Sequence, residues 1–150
     1  MQRTLLVLLG LPTLINATAL AQAPTAFQPP PASAHCDLER YRARYPWPTA
    51  VDTLVMEDSL DVPLQHMVRG PFEYPTVQRA AGVQGWVVIG TLVDPTGHVV
   101  AAEVMASSDT AFEGSTLRMM RQSQYEPPRA GGRPVWTFWC QCITFRIPGL

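Results

Sequence analysis

The sequence carries little charge and gathers none of it into a basic cluster. Only 15% of its 150 residues are Asp, Glu, Lys or Arg, and the formal net charge is −1. Neutralising phosphates takes a clustered cationic surface, so the composition argues against nucleic acid as a partner. A catalytic constellation is also missing. An enzyme needs a nucleophile, a base and an orienting group in one place. The nearest acidic group, Glu57, Asp58 and Asp61, clusters only in sequence and reads as a solvated loop. His35, Cys36, His66, Cys140 and Cys142 lack the spacing of a closed zinc site. Gly131-Gly132 precedes no helix start that would turn it into a phosphate cradle. These absences lead us to expect no enzymatic activity, no cofactor and no metal. His98 reads as an exposed loop residue, and Trp86, Trp136 and Trp139 as packing groups rather than ligand-stacking ones.

The first segment, MQRTLLVLLGLPTLINATALAQA, runs from Arg3 through an apolar stretch beginning at Leu5 to the small-residue pattern Ala19-Leu20-Ala21. That order predicts a secretory signal over residues 1–21, cut after Ala21. An uncleaved anchor over Leu5 to Ala23 is the alternative, weakened by Pro12, Asn16 and Thr18. Either way the rest of the chain is expected outside the cytoplasm. Cysteine is scarce there, at three residues, and three cannot all pair within one chain. Cys140 and Cys142 are two apart in a predicted strand, with parallel Cβ vectors too far separated for a good disulfide. Cys36 is therefore the expected partner of Cys140 or of Cys142, closing a loop worth up to roughly 4.7 kcal/mol in the chain-entropy model. Three unpaired thiols are the alternative.

Residues 22–34 are Pro- and Ala-rich and predict a short semi-rigid spacer; the run PTAFQPPPASA would reach roughly 34 Å if extended. Residues 35–70 form an extension expected to pack on the main domain, with a candidate helix in CDLERYRARY and a candidate strand in AVDTLVME. The clearer signals begin at residue 71. In YPTVQRAAG, Pro75 and Gly82 mark the start and stop of a short helix. GWVVIGTLVD and HVVAAEVMASS read as strands joined by a three-residue turn, in which Asp94 and Pro95 suit the first two positions and Gly97 the left-handed one. TAFEGSTLRMMRQS predicts a helix opened by a capping box from Thr110 to Glu113. YEPPRAGGRP reads as a loop, and VWTFWCQCITFRI as a long last strand.

The predicted fold is α+β. A helix-strand-strand-helix-strand order gives a small antiparallel three-stranded sheet with two helices packed on one face and an exposed final edge strand. In that strand Trp136, Phe138, Cys140 and Cys142 point one way, and Trp139, Ile143, Phe145 and Ile147 the other. So apolar an edge invites another chain unless something covers it. Residues 51–56 or a second copy of the chain are candidate covers. Either would make this a self-associating or structural domain.

The pieces Tyr74-Pro75, GVQGWVVIGTLVDPTGHV, VMASS, Phe112, Tyr125-Glu126-Pro127 and FRI fall in the order and spacing of a known family. Residues 71–150 resemble the C-terminal domain of TonB, the periplasmic energy transducer of Gram-negative bacteria. The resemblance implies a periplasmic module, linked to TonB-dependent transmembrane transport. It would dock outer-membrane transporters by taking a short periplasmic peptide as an extra strand, and would also meet inner-membrane motor proteins if anchored. The implied receiving edge is Val135, Trp136, Thr137, Phe138, Trp139, Cys140, Gln141, Cys142, Ile143, Thr144 and Phe145. The segment Gly70, Pro71, Phe72, Glu73 and Tyr74 would lie beside the peptide. Three features depart from the family pattern: residues 1–23 contain no His, the Pro-rich spacer is short, and Ser123 stands where many members carry an aromatic.

Overall fold

Asp94 folds the chain back on itself, and the two strands it joins build the centre of the molecule. The computed structural model describes residues 26–44 and 54–149, so the expected signal and anchor of residues 1–23 lie outside the described residues. In chain order the elements are helix α1 (Leu38–Arg44), strand β1 (Leu54–Met56), strand β2 (His66–Val68), helix α2 (Thr76–Ala80), strands β3 (Gly85–Val93) and β4 (Val99–Ser107), helix α3 (Glu113–Arg121), and strands β5 (Gln124–Tyr125), β6 (Arg129–Ala130), β7 (Arg133–Pro134) and β8 (Trp136–Phe145). No helix among the described residues is long and apolar enough to cross a membrane.

At the β3–β4 turn, the Asp94 N–H donates to the His98 carbonyl at 3.0 Å, and the Gly97 N–H donates to the Asp94 carbonyl at 2.9 Å. One Asp94 carboxylate oxygen accepts from the Thr96 and His98 N–H groups and from the Thr96 hydroxyl, at 2.7–3.0 Å. Partial burial alone would raise the Asp94 pKa. The Thr96 hydroxyl and the His98 and Thr96 N–H groups outweigh it and hold the carboxyl below its usual range. Gly97 takes φ +89°, and its carbonyl accepts the Tyr125 N–H at 2.8 Å, which fastens the turn to the chain leaving α3. A Cβ at Gly97 would lie 2.0 Å from the Tyr125 carbonyl oxygen. Gly97→Ala is therefore expected to cost about 2 kcal/mol, from the left-handed backbone and this overlap together. Urea denaturation would read the loss, and unchanged stability would mean the turn detaches from Tyr125 without consequence.

The main sheet has the order β1-β8-β3-β4. β3 pairs antiparallel with β4 on one side and with β8 on the other, from Gly85 opposite Phe145 to Val93 opposite Thr137. All nine β3 residues are buried because both faces of the sheet are covered. Ile89 and Val93 meet Met119, Met120 and Tyr125 on the α3 face. Trp86, Val88 and Leu92 pack on the opposite face with Tyr41 of α1 and with Phe138. Each fully buried Val, Ile or Leu contributes roughly 1.5–3 kcal/mol. Gly90 is the close-approach point of the second face, since a Cβ there would sit 2.8 Å from the Phe138 ring.

Several expectations are corrected. The sheet has four strands, not three, and is mixed: β1 runs parallel to β8, with Leu54, Val55 and Met56 opposite Trp136, Thr137 and Phe138. The apolar Leu54-Val55-Met56 run satisfies backbone groups on an edge that the C-terminal elements alone leave bare. Of the two expected helices, α2 buries none of its residues, although Tyr74 and Val83 on either side of it pack with Phe112 on the α3 face, and a further helix, α1, covers the opposite face. The Thr110–Glu113 capping box is replaced by a cap one residue earlier. The Asp109 carboxylate accepts the Ala111 N–H at 2.9 Å and opens a 3₁₀ turn over Thr110–Phe112, while Glu113 takes the Ser107 hydroxyl.

The expected loop 125–134 holds a small hairpin of β6 and β7, turned by Gly131 and Gly132 at φ +58° and +74°. Both of their N–H groups donate to the Asp61 carboxylate at 2.8 Å, so Asp61, exposed in a bend as expected of a solvated loop, also clamps a turn. Phe27 and Ala34 of the Pro-rich stretch pack against the α1-side core, and the Arg146 guanidinium stands 3.9 Å from the Phe27 ring centroid.

Candidate partner-docking edge

β8 is buried along one side by β3 and is half covered along the other. Of the expected receiving edge, Val135 precedes the strand and its N–H donates to the Pro128 carbonyl at 2.9 Å. Trp136, Thr137 and Phe138 are taken by β1. From Trp139 through Cys140, Gln141, Cys142, Ile143 and Thr144 to Phe145, no strand among the described residues pairs with the far side of β8. The expectation of a wholly exposed final strand thus holds for its second half only.

Two cysteines stand on this open half. Cys140 is joined to Cys36 by a disulfide, with Cα atoms 5.8 Å apart, and Cys142 is a free, solvent-exposed thiol. The bridge removes Cys36 and Cys140 as thiolate ligands for any metal. Partial desolvation pushes the Cys142 thiol up.

The segment Gly70–Tyr74 reaches the far end of β8 through aromatic contacts. The Gly70 N–H donates to the Ser123 hydroxyl at 3.0 Å, and that hydroxyl donates to the Met119 carbonyl at 2.8 Å. Ser123, the departure from the family pattern, is buried and ties the segment to the end of α3. A Cβ at Gly70 would lie 2.0 Å from the Met119 carbonyl oxygen, so the close approach needs glycine. After the exposed Pro71, Phe72 lies with its ring 5.0 Å from that of Phe145. The Tyr74 ring meets Phe145 edge-on at 5.5 Å, and its hydroxyl donates to the Val83 carbonyl at 2.6 Å. Glu73 pairs with Arg118 at 3.2 Å in solvent, a contact worth little. The two predicted stretches therefore meet at Phe145, while Val135 to Phe138 sit away from it.

An open groove of about 540 Å³ runs along the free half of β8. Its wall includes residues that sequence reasoning missed: Leu64, His66, Arg69, Met119 and Met120. His66 is placed by the pairing of β2 with β5, which sets it opposite Tyr125. Its ring lies 4.5 Å from that of Tyr125 and 5.9 Å from Trp139. Burial, and then the nearby Arg69 guanidinium, lower its pKa, and its Nδ1 is buried without a hydrogen-bond partner. Burial pushes the Tyr125 phenol up. The Gln141 amide donates to the Met120 sulfur at 3.1 Å. The lining holds an arginine and no carboxylate. Nothing in the local sequence marks Leu64 to Arg69, because the short β2–β5 pairing that places them joins segments far apart in the chain.

A hairpin, a crossing helix and a returning strand with a half-open edge define an α+β module that presents backbone hydrogen-bonding groups beside an aromatic-walled groove. Residues 70–147 match the model of the Gram-negative bacterial TonB protein C-terminal family. The chain belongs to that family, whose setting is TonB-dependent transport. The fold is similar to the solution NMR structure of the Pseudomonas aeruginosa TonB CTD, with a TM-score of 0.51 at 22% identity over 58% of this chain and 89% of that one. No curated protein matches the chain.

Proposed function

We propose that this chain is a periplasmic docking module that receives an extended peptide from an outer-membrane transporter as an added strand along Trp139–Phe145. The observation that carries the reading is the seven-residue stretch of β8 that no strand among the described residues pairs with on one side, next to an open groove. Strand addition draws affinity from such unpaired main-chain groups and selectivity from side-chain pockets at alternate positions. His66, Phe72 and Trp139 supply the apolar wall, and Arg69 supplies a cation for a carboxylate on the incoming peptide. In this reading residues 1–21 direct export, 22–34 lead into the fold, 35–70 pack on it, and 71–150 form the docking domain.

Neighbouring residues of β8 point their N–H groups in opposite directions, one toward β3 and one outward. Proline removes a single N–H. Of the variants Gln141→Pro and Cys142→Pro, one is expected to weaken the β3–β8 ladder. The other should stay folded and lose peptide binding in an NMR titration with peptides from transporter periplasmic tails. A folded variant that binds as well as the native protein would remove β8 as the docking strand. Sedimentation that shows a stable dimer would give the edge to a second copy instead.

A further inference from the structure

The chain already holds one strand on its own docking edge. β1 occupies Trp136–Phe138 in parallel orientation, and the chain then leaves the sheet through a 3₁₀ turn at Glu57–Ser59, at the level where the free half begins. The segment carrying β1 is held close on two counts. Cys36 is covalently bound to Cys140 on the same strand, and the Tyr41 ring of α1 lies 4.8 Å from the ring of Phe138. Tethered in this way, three residues that would pair weakly as a free peptide act at an effective concentration in the millimolar range. The match to the family begins at residue 70, so β1 belongs to the part of this chain outside the matched region.

We propose that β1 is a built-in competitor strand that sets the length and register of the docked partner. Resting on the docking reading above, the proposal assigns the partner segment to Trp139–Phe145 and ends it at the Glu57–Ser59 turn. There the incoming chain must leave the sheet. A longer segment that would pair with all of β8 has to displace β1. Its apparent affinity is then lowered by the fraction of molecules in which β1 is already detached.

The test uses the whole exported protein with its disulfide intact. In a parallel pair only alternate residues of a strand bond to its neighbour. Val55→Pro and the double variant Leu54→Pro/Met56→Pro therefore between them remove every N–H that β1 can give to β8. Both are titrated by NMR with ten-residue peptides from transporter periplasmic tails, and separately with a peptide of this chain's residues 51–60. Retained β3–β8 amide signals confirm that each variant is folded.

With the native protein, transporter peptides should shift residues 139–145 and leave 136–138 unmoved. In the variant that frees β8, the footprint should extend to 136–138 and affinity should rise about tenfold. Equal affinity and an equal footprint in native and variant proteins would overturn the proposal while leaving the docking reading intact. If no transporter peptide binds any form, the docking reading fails and the 51–60 peptide decides. Binding at 136–138 of a variant, but not of the native protein, would sustain β1 as the strand that fills this part of the edge, and binding to neither would end that too.

Discussion

Phe145→Ala is expected to lower stability by roughly 3–5 kcal/mol, the range for deleting a fully buried phenylalanine. The ring is 0% exposed, stacks on Phe112 at 4.4 Å and contacts Phe72 and Tyr74. The space it leaves cannot close readily. Gly85 stands opposite Phe145 on β3, and even a Cβ there would meet the Phe112 ring at 2.5 Å, so the neighbours are already close-packed. A loss of that size is a large share of the about 5–15 kcal/mol typical of a whole domain. It should appear in urea denaturation as a lower midpoint with an unchanged slope. Phe145→Leu keeps much of the apolar volume and should retain most of the stability that the alanine variant loses. A change below about 1 kcal/mol for the alanine variant would show that the aromatic cluster does not anchor Gly70–Tyr74 to β8.

The second large effect comes from the Cys36–Cys140 bridge, which spans a sequence separation of 104. In the chain-entropy model a loop of that size contributes up to about 4.7 kcal/mol by restricting the unfolded chain. Cys36→Ser/Cys140→Ser is therefore expected to shift the denaturation midpoint strongly while leaving most of the native NMR spectrum in place. The changes should concentrate in residues 26–44, whose remaining hold on the sheet includes the packing of Tyr41, Leu38 and Phe27. Native-like stability in the double variant would mean that this packing, rather than the covalent link, keeps the N-terminal layer in place.

The local parts of the fold were legible in the sequence, and the reason is chemical. Asp94-Pro95-Thr96-Gly97 encodes its turn within four residues, and the turn forms as read. Pro75 and Gly82 bracket a helix whose bounds, Thr76–Ala80, differ by a residue at each end. Alternation in the last strand sorted its side chains correctly, with Phe138 on the α1 side and Trp139, Ile143 and Phe145 on the α3 side.

What escaped the sequence depends on long-range pairing. β1 is three residues long, and its choice of β8 as neighbour has no local signature. The hydroxyl of Thr110 looked like a cap because it stands three residues before Glu113, yet the carboxylate of Asp109 takes that work. The choice between Cys140 and Cys142 follows from where the N-terminal layer meets β8, which no spacing along the chain records. At the site, Ile143, Thr144 and Phe145 were legible as an edge, whereas His66 and Arg69 arrive through a two-residue strand pairing.

The disulfide also governs how this molecule would bear a mechanical load. Cys36 precedes α1 and β1 in sequence but is bonded to Cys140, in the middle of the strand that lies along the open edge. Tension applied to the chain ahead of Cys36 therefore enters the sheet at Cys140 and bypasses the polypeptide between the two cysteines. A strand paired along Trp139–Phe145 would face the same strand into which that pull is delivered. The force would be borne by the edge ladder and one covalent bond, while the hairpin, the helices and the aromatic core lie off the load path. Without the bridge, the same tension would have to peel away α1 and then β1 before reaching β8.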